Sequence, residues 1–328
     1  MHIMRKVLII ISIVLLNSIA VFSQHDFAYS QYMSNKFLVN PAFAGSEGFT
    51  SFDLSARQQW LGFDNAPSTQ SISAQTRILK TSYVAKARSV RKRIRKRRPS
   101  GRVGLGAYIY NDQNGPIGKT GAELTYAYHV FINDGQLSLG LSLSAYQFRV
   151  NAKDLTTADG FDPLVNQARE SMFIPDGSFG IFYSYQPFYV GVSAKNLFQA
   201  ALKFGQDNSF ADYQQIRNYY FMTGYRYDME NDFEIEPSVL LKTTEAFNLQ
   251  ADISLIGYYK RDYWLGFSYR TGNAFVTMIG IRVDKINIGY AFDYSLNDIQ
   301  RISYGSHEIV IGLKFGDNAR RYRWLNRF

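Results

Sequence analysis

The residue types that most often carry catalysis or bind metal are few and scattered in this chain. Its four histidines, His2, His25, His129 and His307, show no metal-ligand spacing such as His-Glu-x-x-His. The absence of cysteine excludes disulfides, thiolate metal sites and cysteine nucleophiles. Neither a Gly-x-Ser-x-Gly nucleophile elbow nor a phosphate-binding loop occurs. We therefore expect no catalytic residue, no bound metal and no cofactor, and we predict that the protein is not an enzyme.

Three short patterns have both a chemical and a structural interpretation. His307-Glu308 lies at the mouth of the last predicted strand, and we assign it a structural role. The oxygen-rich stretch 112–116 has side chains that suit calcium, but a polar loop is the favoured interpretation. Gly104 and Gly106 lie within a predicted strand, where glycine eases packing in a curved sheet. None of the three patterns indicates catalysis.

Most of the positive charge of the chain lies in one insertion. Residues 80–102 hold eleven Lys and Arg and no acid, so without them the formal net charge of +9 becomes −2. A second basic patch lies in the tail, residues 317–328. The insertion is either a solvated turn or an electrostatic dock for an acidic periplasmic partner, lipid headgroups or peptidoglycan. We expect no nucleic-acid partner, because an exported protein rarely meets one. The candidate docking residues are Arg88, Arg91, Lys92, Arg93, Arg95, Lys96, Arg97 and Arg98.

The N-terminus has the pattern of a secretory signal peptide. Arg5 and Lys6 precede an apolar core at residues 7–16. Val21 and Ser23 then stand at −3 and −1, which predicts cleavage before Gln24 and a signal peptide of residues 1–23. A single membrane anchor is the alternative, but the apolar core is short for one.

The mature chain alternates between apolar and polar residues with the period of β-strands. In the clearest example, Leu137, Leu139, Leu141 and Leu143 alternate with small or polar residues. About fourteen such segments follow one another with almost no helical periodicity between them. The candidates are residues 49–60, 69–78, 103–111, 120–132, 136–150, 178–185, 188–198, 218–229, 233–243, 247–260, 263–271 and 274–284, and two strands within 285–315.

The connections and the charges favour a transmembrane barrel over a soluble sandwich. Five links after even-numbered strands are tight turns, whereas several links after odd-numbered strands are long. Outer-membrane barrels have the same pattern, with short turns on the periplasmic side and longer loops outside the cell. Charged residues fall on one face of the strands, and the opposite face carries almost none. A bilayer requires this, because unpaired charge against lipid is costly. A lumen with both signs of charge also suits ion pairs better than an open pore. The lumen-facing set is Arg57, Arg77, Glu123, His129, Lys195, Arg226, Glu234, Glu236, Asp252, Arg270, Arg282, Asp293, Glu308 and Lys314.

The predicted fold is therefore an all-β, antiparallel transmembrane barrel of about fourteen strands with both termini in the periplasm. The barrel occupies residues 49–316, with the basic periplasmic insertion at 79–102. Residues 24–48 are irregular and rich in turn signals, so we expect them to plug the barrel or to cover its periplasmic mouth. Aromatic residues make up 16% of the chain, as suits girdles at the two membrane interfaces.

Several sequence motifs resemble the PorP/SprF family of Bacteroidetes outer-membrane proteins. They are the run 29–45, the run 57–70, Pro175-Asp176 with Gly180, residues 189–193, and the closing 305–309. Together they cover nearly the whole mature chain, and their order makes the resemblance specific. The basic insertion departs from the family, in which a short turn is usual. The motif residues are Asn40, Pro41, Gly45, Gln59, Trp60, Gly62, Pro67, Pro175, Asp176, Gly305, Ser306, His307 and Glu308.

The resemblance implies a non-enzymatic outer-membrane barrel of the type IX secretion system. Members of the family typically serve secretion, surface anchoring or gliding motility involving large secreted adhesins, or tie the translocon to periplasmic parts. The implied partners are an adhesin or its C-terminal region, periplasmic or peptidoglycan-associated secretion components, and outer-membrane lipid. The alternative is a transporter or porin for a small molecule, either polar or hydrophobic, since related barrels carry different functions.

Overall fold

A computed structural model of the chain describes residues 29–78, 102–150, 171–199, 201–203, 212–214, 216–229, 232–271 and 274–315. Its main feature is a closed antiparallel barrel of fourteen strands. The strands are β1 Thr50–Gln58, β2 Ser68–Ile78, β3 Val103–Asn114, β4 Ile117–Ile132, β5 Gly135–Val150, β6 Ser171–Tyr185, β7 Phe188–Lys195, β8 Asn218–Tyr225, β9 Phe233–Thr244, β10 Gln250–Tyr259, β11 Tyr263–Arg270, β12 Ala274–Val283, β13 Ile286–Ser295 and β14 Ser306–Phe315.

Each strand pairs with its neighbours in sequence, and the first strand pairs with the last to close the barrel. Thr50 lies opposite Phe315, and Gln58 lies opposite His307. After Arg226, β8 continues as Tyr227–Asp228, which stays paired with β9. A short hairpin, Ala201–Lys203 with Asp212–Gln214, lies in the β7–β8 connection. The predicted fold class and strand number are confirmed.

Most strand boundaries agree with the sequence-based prediction, and two clear differences lie at the end of β3 and at the start of β6. β6 begins at Ser171 rather than at residue 178, and β3 continues to Asn114. The stretch 112–116 is therefore not the predicted polar loop: only Gly115 and Pro116 connect β3 with β4. The end of β3 is a continuous polar run, and the start of β6 is an apolar run from Met172 to Pro175. Neither shows the alternation on which hydrophobic periodicity depends.

The two ends of the barrel differ in their connections. At one end, here the turn end, short links follow β4, β6, β8, β10 and β12, with positive φ at Asn133, Lys260, Arg261 and Asp284. At the other end, here the loop end, most links are longer, and the β3–β4 and β11–β12 links are short exceptions. β1 begins and β14 ends at the turn end.

The outward face of the barrel is an apolar band. On β5, Leu139, Leu141 and Leu143 are 41–61% exposed, while Ser138 and Ser142 face the interior and are buried. Toward the loop end the band is bordered by a polar row, in which Asn111 Nδ2 donates to Gln70 Oε1 (3.1 Å). This alternation is the predicted register and the arrangement of an outer-membrane barrel.

Aromatic side chains border the apolar band at both ends, as expected for interfacial girdles. Exposed aromatic residues near the turn end include Phe52, Tyr185, Tyr225, Phe233, Tyr259, Tyr263 and Phe315. Those near the loop end include Phe173, Tyr219, Tyr269, Phe275 and Tyr294.

Helical structure in the described part of the chain is limited to single 3₁₀ turns. Lys36–Leu38 and Pro41–Phe43 lie in the N-terminal segment, and Asp298–Arg301 lies between β13 and β14. None of the helices in the described ranges is long and apolar enough to cross a membrane.

Candidate functional site

The interior of the barrel is occupied by residues 29–48, which we call the plug. Its large apolar side chains, among them Tyr32, Phe37 and Phe43, are at most 9% exposed and form one cluster with inward-facing residues of the wall. Burial raises the pKa of Tyr32 to about 12, so its hydroxyl stays protonated. The prediction that the N-terminal irregular segment plugs the barrel is thus supported by the packing of its described part.

The plug follows a folded path through the lumen. Ser30 is bound in the loop-end half, Lys36 reaches Glu236 in the turn-end half, and Leu38 returns to Lys195 near the loop end. Glu47 then pairs with Lys314 (2.7 Å) at the turn end, where β1 begins. The plug therefore contacts the wall at several levels rather than covering one mouth.

A charged network holds the start of the plug. Glu308 Oε2 and Oε1 accept the backbone N–H groups of Ser30 (2.8 Å) and Gln31 (3.0 Å). Arg57 pairs with both Glu308 (3.1 Å) and Asp293 (2.8 Å) and donates to Ser30 Oγ (2.7 Å). The Glu308 side chain is 1% exposed, so each of its acceptor atoms needs these partners.

The same network extends around the wall through Arg270. Its guanidinium pairs with Asp293 (3.2 Å) and with Asp252 (3.0 Å). Arg57, Asp252, Arg270, Asp293 and Glu308 were all predicted to face the lumen, and the predicted ion pairing between them is confirmed.

A second network surrounds Glu236 and binds the middle of the plug. Lys36 Nζ lies 3.8 Å from Glu236 Oε1 and 4.6 Å from the ring centroid of Tyr189. Arg226 Nε donates to Glu236 Oε2 (3.0 Å), and Tyr258 donates to the same oxygen (3.3 Å). Burial lowers the pKa of Lys36, and the attraction of the Glu236 carboxylate opposes part of this shift.

A third contact, with few charges, fixes the end of the plug. His129 Nε2 bonds to the carbonyl oxygen of Ala44 (3.0 Å), so Nε2 carries the proton and Nδ1 accepts from Ser138 Oγ (2.8 Å). Next to it, Gln136 donates to Ser46 O (3.3 Å) and accepts from Arg77 (3.0 Å). His129 thus serves as a hydrogen-bonding residue of the wall.

A row of very small residues lets the plug approach the wall. Gly104, Ala127, Gly140 and Gly180 lie side by side across β3, β4, β5 and β6. A Cβ at Gly104 would lie 2.0 Å from Ala44 O, and one at Gly140 would lie 2.2 Å from Ala42 N. Gly104 and Gly106 therefore make room for the plug. The sequence analysis assigned them only a general role in packing of a curved sheet.

Asn40 is the plug residue that contacts this row at Gly180. Its Nδ2 donates to the carbonyl oxygens of Ile181 (3.0 Å) and Val192 (3.1 Å), while its Oδ1 accepts from Ala42 N (2.9 Å). Pro41 follows as the first residue of the 3₁₀ turn, and Gly45 has a φ of +67°. The motif residues Asn40, Pro41 and Gly45 thus shape the part of the plug that meets the glycines.

The remaining motif residues lie near the loop end. Asp176 Oδ1 accepts from the backbone N–H groups of Gly177 (2.6 Å) and Phe198 (3.1 Å), one residue beyond Pro175 in β6. Tyr290 Oη lies 2.7 Å from His307 Nδ1, next to Glu308 of the first network. The motif residues Gln59, Trp60, Gly62, Pro67 and Gly305 belong to two loops that contact each other, and Ser306 is the first residue of β14.

The predicted docking residues of the basic insertion, from Arg88 to Arg98, lie outside the described residues. Sequence analysis missed Lys36, Tyr189 and the small-residue row as plug contacts. The small-residue row could have been predicted from the sequence, because Gly104, Gly140 and Gly180 all lie on the inward faces of the predicted strands.

Little space remains around the plug. A cavity of about 30 Å³ lies toward the loop end and is lined by Tyr29, Tyr32, Lys195 and Tyr220, among others. A cavity of about 10 Å³ lies toward the turn end, beside Lys36. Such volumes hold on the order of one or two water molecules. Within the described ranges, no group of three or more His, Asp or Glu side chains is arranged to hold a metal ion.

Comparison with known structures gives outer-membrane barrels of low sequence identity. Omp33 of Acinetobacter baumannii is 8% identical, with a TM-score of 0.44 over 82% of this chain and 99% of that one. The toluene transporter TbuX of Ralstonia pickettii is 11% identical, with a TM-score of 0.48 over 85% and 92%. The toluene transporter TodX of P. putida is 8% identical, with a TM-score of 0.41 over 84% and 92%. These likenesses concern the fold alone.

No curated protein matches this sequence significantly. A family model described as type IX secretion system membrane protein PorP/SprF matches residues 21–313. Since that match spans most of the chain, the protein belongs to the PorP/SprF family of type IX secretion system membrane proteins.

Proposed function

We propose that this protein is a non-enzymatic, plugged outer-membrane barrel that anchors a large secreted adhesin. In this proposal the loop end faces the cell exterior and holds the adhesin through its C-terminal region. The turn end faces the periplasm, where the basic insertion 79–102 binds acidic secretion components or the peptidoglycan layer. The signal peptide is removed before Gln24. The protein takes part in secretion, surface anchoring or gliding motility rather than in transport of a small molecule.

The observation that carries this proposal is the fixed plug. A transporter needs a path through its lumen, whereas this lumen is filled by residues tied to the wall at Glu308, Glu236 and His129. Buried ion pairs of this kind are costly to break, because each leaves an unpaired charge behind. A rigid, filled barrel therefore suits a protein that holds partners at its two ends.

Affinity capture from native outer membranes tests the proposal. The tagged protein is extracted in mild detergent, and the proteins bound to it are identified by mass spectrometry. We expect one very large secreted protein, together with periplasmic secretion components. A folded barrel that repeatedly captures neither would contradict anchoring and favour the transporter alternative.

Deletion of residues 84–98 tests the periplasmic half of the proposal separately. We expect the barrel to fold and remain heat-modifiable on gels, because β2 and β3 already pair up to Ile78 and Val103. Capture of the periplasmic components should be lost, while capture of the secreted protein should persist. Loss of membrane insertion in this variant would show instead that the insertion is needed for folding.

A further inference from the structure

One sector of the outward barrel surface lacks the aromatic border found elsewhere near the loop end. Exposed aromatic residues of the described strands at that end lie on β6, β8, β11, β12 and β13. On β2 to β5 the outward residues near that end are polar instead, and four of them lie side by side: Gln70, Asn111, Thr120 and Gln147. We call these four residues, together with Arg149 farther along β5, the polar sector.

Hydrogen bonds join the polar sector into a ladder across four strands. Arg149 Nη2 donates to Thr120 Oγ1 (3.0 Å), which in turn donates to Asn111 Oδ1 (2.7 Å). Asn111 Nδ2 then donates to Gln70 Oε1 (3.1 Å). Because arginine can only donate, it fixes the direction of every bond that follows. The ladder therefore holds these side chains in place before a ligand arrives, which reduces the entropy lost on binding.

The polar groups of the ladder that remain unused are mostly donors. Its three acceptor oxygens each receive one hydrogen bond, whereas Gln70 Nε2 donates to no residue within the described ranges. Arg149 uses one of its five N–H groups and forms no ion pair with another described residue. The outward-facing residues of β2 to β5 at this end include no carboxylate. The polar sector therefore suits a ligand with acceptor oxygens and negative charge, such as a phosphate.

An apolar groove lies directly against the ladder on the lipid-facing surface. It has a volume of about 410 Å³, and Gln70, Asn111 and Thr120 line its loop-end side. Ala56 is the smallest of its outward-facing lining residues and lies between Ile309 of β14 and Gln70 of β2. The other apolar residues along the groove include Leu54, Ile72 and Ile109. A groove among apolar side chains that ends at hydrogen-bond donors matches the two parts of a lipid, an acyl chain and a headgroup.

The width of the polar sector indicates the size of the headgroup. Neighbouring strands lie about 4.8 Å apart, so the row from Gln70 on β2 to Gln147 on β5 spans roughly 14 Å. A single phosphate contacts only a part of such a row, whereas a headgroup that also contains sugars covers it.

We propose that the polar sector and the groove bind a phosphorylated glycolipid of the outer leaflet. Arg149 binds a phosphate, the ladder donates to sugar oxygens, and an acyl chain lies in the groove over Ala56. This inference rests on the proposed function, which puts the loop end outside the cell and hence this sector in the outer leaflet. Elsewhere the barrel meets lipid through its apolar band and aromatic border, which require no such array of donors.

Native mass spectrometry of the purified, full-length barrel tests the class of ligand. The probe is an equimolar mixture of lipid A, phosphatidylglycerol and phosphatidylethanolamine in detergent. We expect lipid A to be retained about tenfold more than either phospholipid, since it combines phosphates with a sugar headgroup of the required width. Equal retention of phosphatidylglycerol would show that only negative charge is recognised and would overturn the inference. Retention of none of the three lipids would overturn it as well.

Matched substitutions then measure the contribution of each half of the site. We expect Arg149→Gln to lower the retained lipid A by about tenfold, while Arg301→Gln, at an exposed arginine outside the polar sector, leaves it unchanged. Ala56→Leu should also lower retention, because the larger side chain fills the groove, whereas Ala251→Leu on the outward face of β10 should not. All four side chains are accessible from outside the barrel, and heat-modifiable migration on gels confirms that each variant is folded. Equal effects within either pair would overturn the inference.

A single cysteine separates failure of this inference from failure of the proposed function. The chain has no cysteine, so Arg301→Cys provides one reactive site at the loop end. We expect a membrane-impermeant maleimide to label it in intact cells. Labelling only after permeabilisation would refute the proposed orientation and, with it, the assignment of the site to the outer leaflet. Labelling of intact cells together with no preference of the purified barrel for lipid A would refute the inference alone.

Discussion

At the scale of single residues, one of the closest contacts between plug and wall is where Asn40 meets Gly180. A Cβ at Gly180 would lie 2.1 Å from Asn40 Oδ1. Gly180→Ala should therefore push the Asn40 side chain away from its carbonyl partners in β6 and β7 and destabilise the barrel by about 1–3 kcal/mol. The measurement is the temperature at which the folded gel band converts to the unfolded one.

The matched control for this substitution is Gly257→Ala. Gly257 faces outward, and the nearest atom to a Cβ there is Leu265 O at 4.0 Å. The control should leave the conversion temperature unchanged or slightly higher, since alanine restricts the unfolded chain. If Gly180→Ala behaves like Gly257→Ala, the glycine row is not needed to seat the plug.

Glu308 is the residue whose charge does most to hold the plug. Its carboxylate accepts two backbone N–H groups and pairs with Arg57, whereas an amide has only one acceptor oxygen. Glu308→Gln should cost about 2–3 kcal/mol, since hydrogen bonds to charged groups are lost in a buried site. Faster protease cleavage within the plug of detergent-solubilised protein would report the loosening.

Asp298→Asn is the control for Glu308→Gln, because it also neutralises a carboxylate that pairs with an arginine. That pair is exposed, with side chains 83% and 93% accessible, and such pairs contribute little. Cleavage of the plug at the wild-type rate in both variants would contradict the role assigned to Glu308.

At the scale of elements, the strands could be predicted from sequence and the plug contacts could not. Successive strand residues face lipid and lumen alternately, so apolar residues recur at every second position, as at Leu137, Leu139 and Leu141. The plug has no such period. Its contacts also join residues far apart in the chain: 278 positions separate Ser30 from Glu308. The family resemblance identified motif residues such as Asn40, but it did not predict which wall residues they contact.

The outward register can be tested at Leu141, in the middle of β5. Leu141 is 53% exposed and belongs to the apolar band. Leu141→Arg should disrupt assembly, because an arginine on the lipid face near the bilayer centre costs roughly 2–4 kcal/mol. The yield of heat-modifiable protein in outer membranes is the measurement, with Phe247→Arg in an exposed loop as the control. Normal assembly of Leu141→Arg would place this face outside the bilayer.

At the scale of the whole molecule, the barrel and the plug depend on each other. The wall carries buried charges, including Arg57, Asp293 and Glu236, that the plug helps to cover or pair. Without the plug these groups would need water, and the lumen would become an aqueous channel. The plug thus determines whether the lumen of this barrel is filled or open.

Removal of residues 29–46 from the purified, reconstituted protein is the last prediction. We expect wild-type protein to give no steady single-channel conductance in planar bilayers, and the deletion variant to conduct through a charged, water-filled lumen. Should the deletion variant not fold, Glu308→Gln serves instead, with brief openings expected as the start of the plug loosens, and Asp298→Asn as the closed control. A steady open pore in the wild-type protein would count against a sealed lumen. It would also favour the transporter alternative, because the plug contacts would then be insufficient to block the barrel.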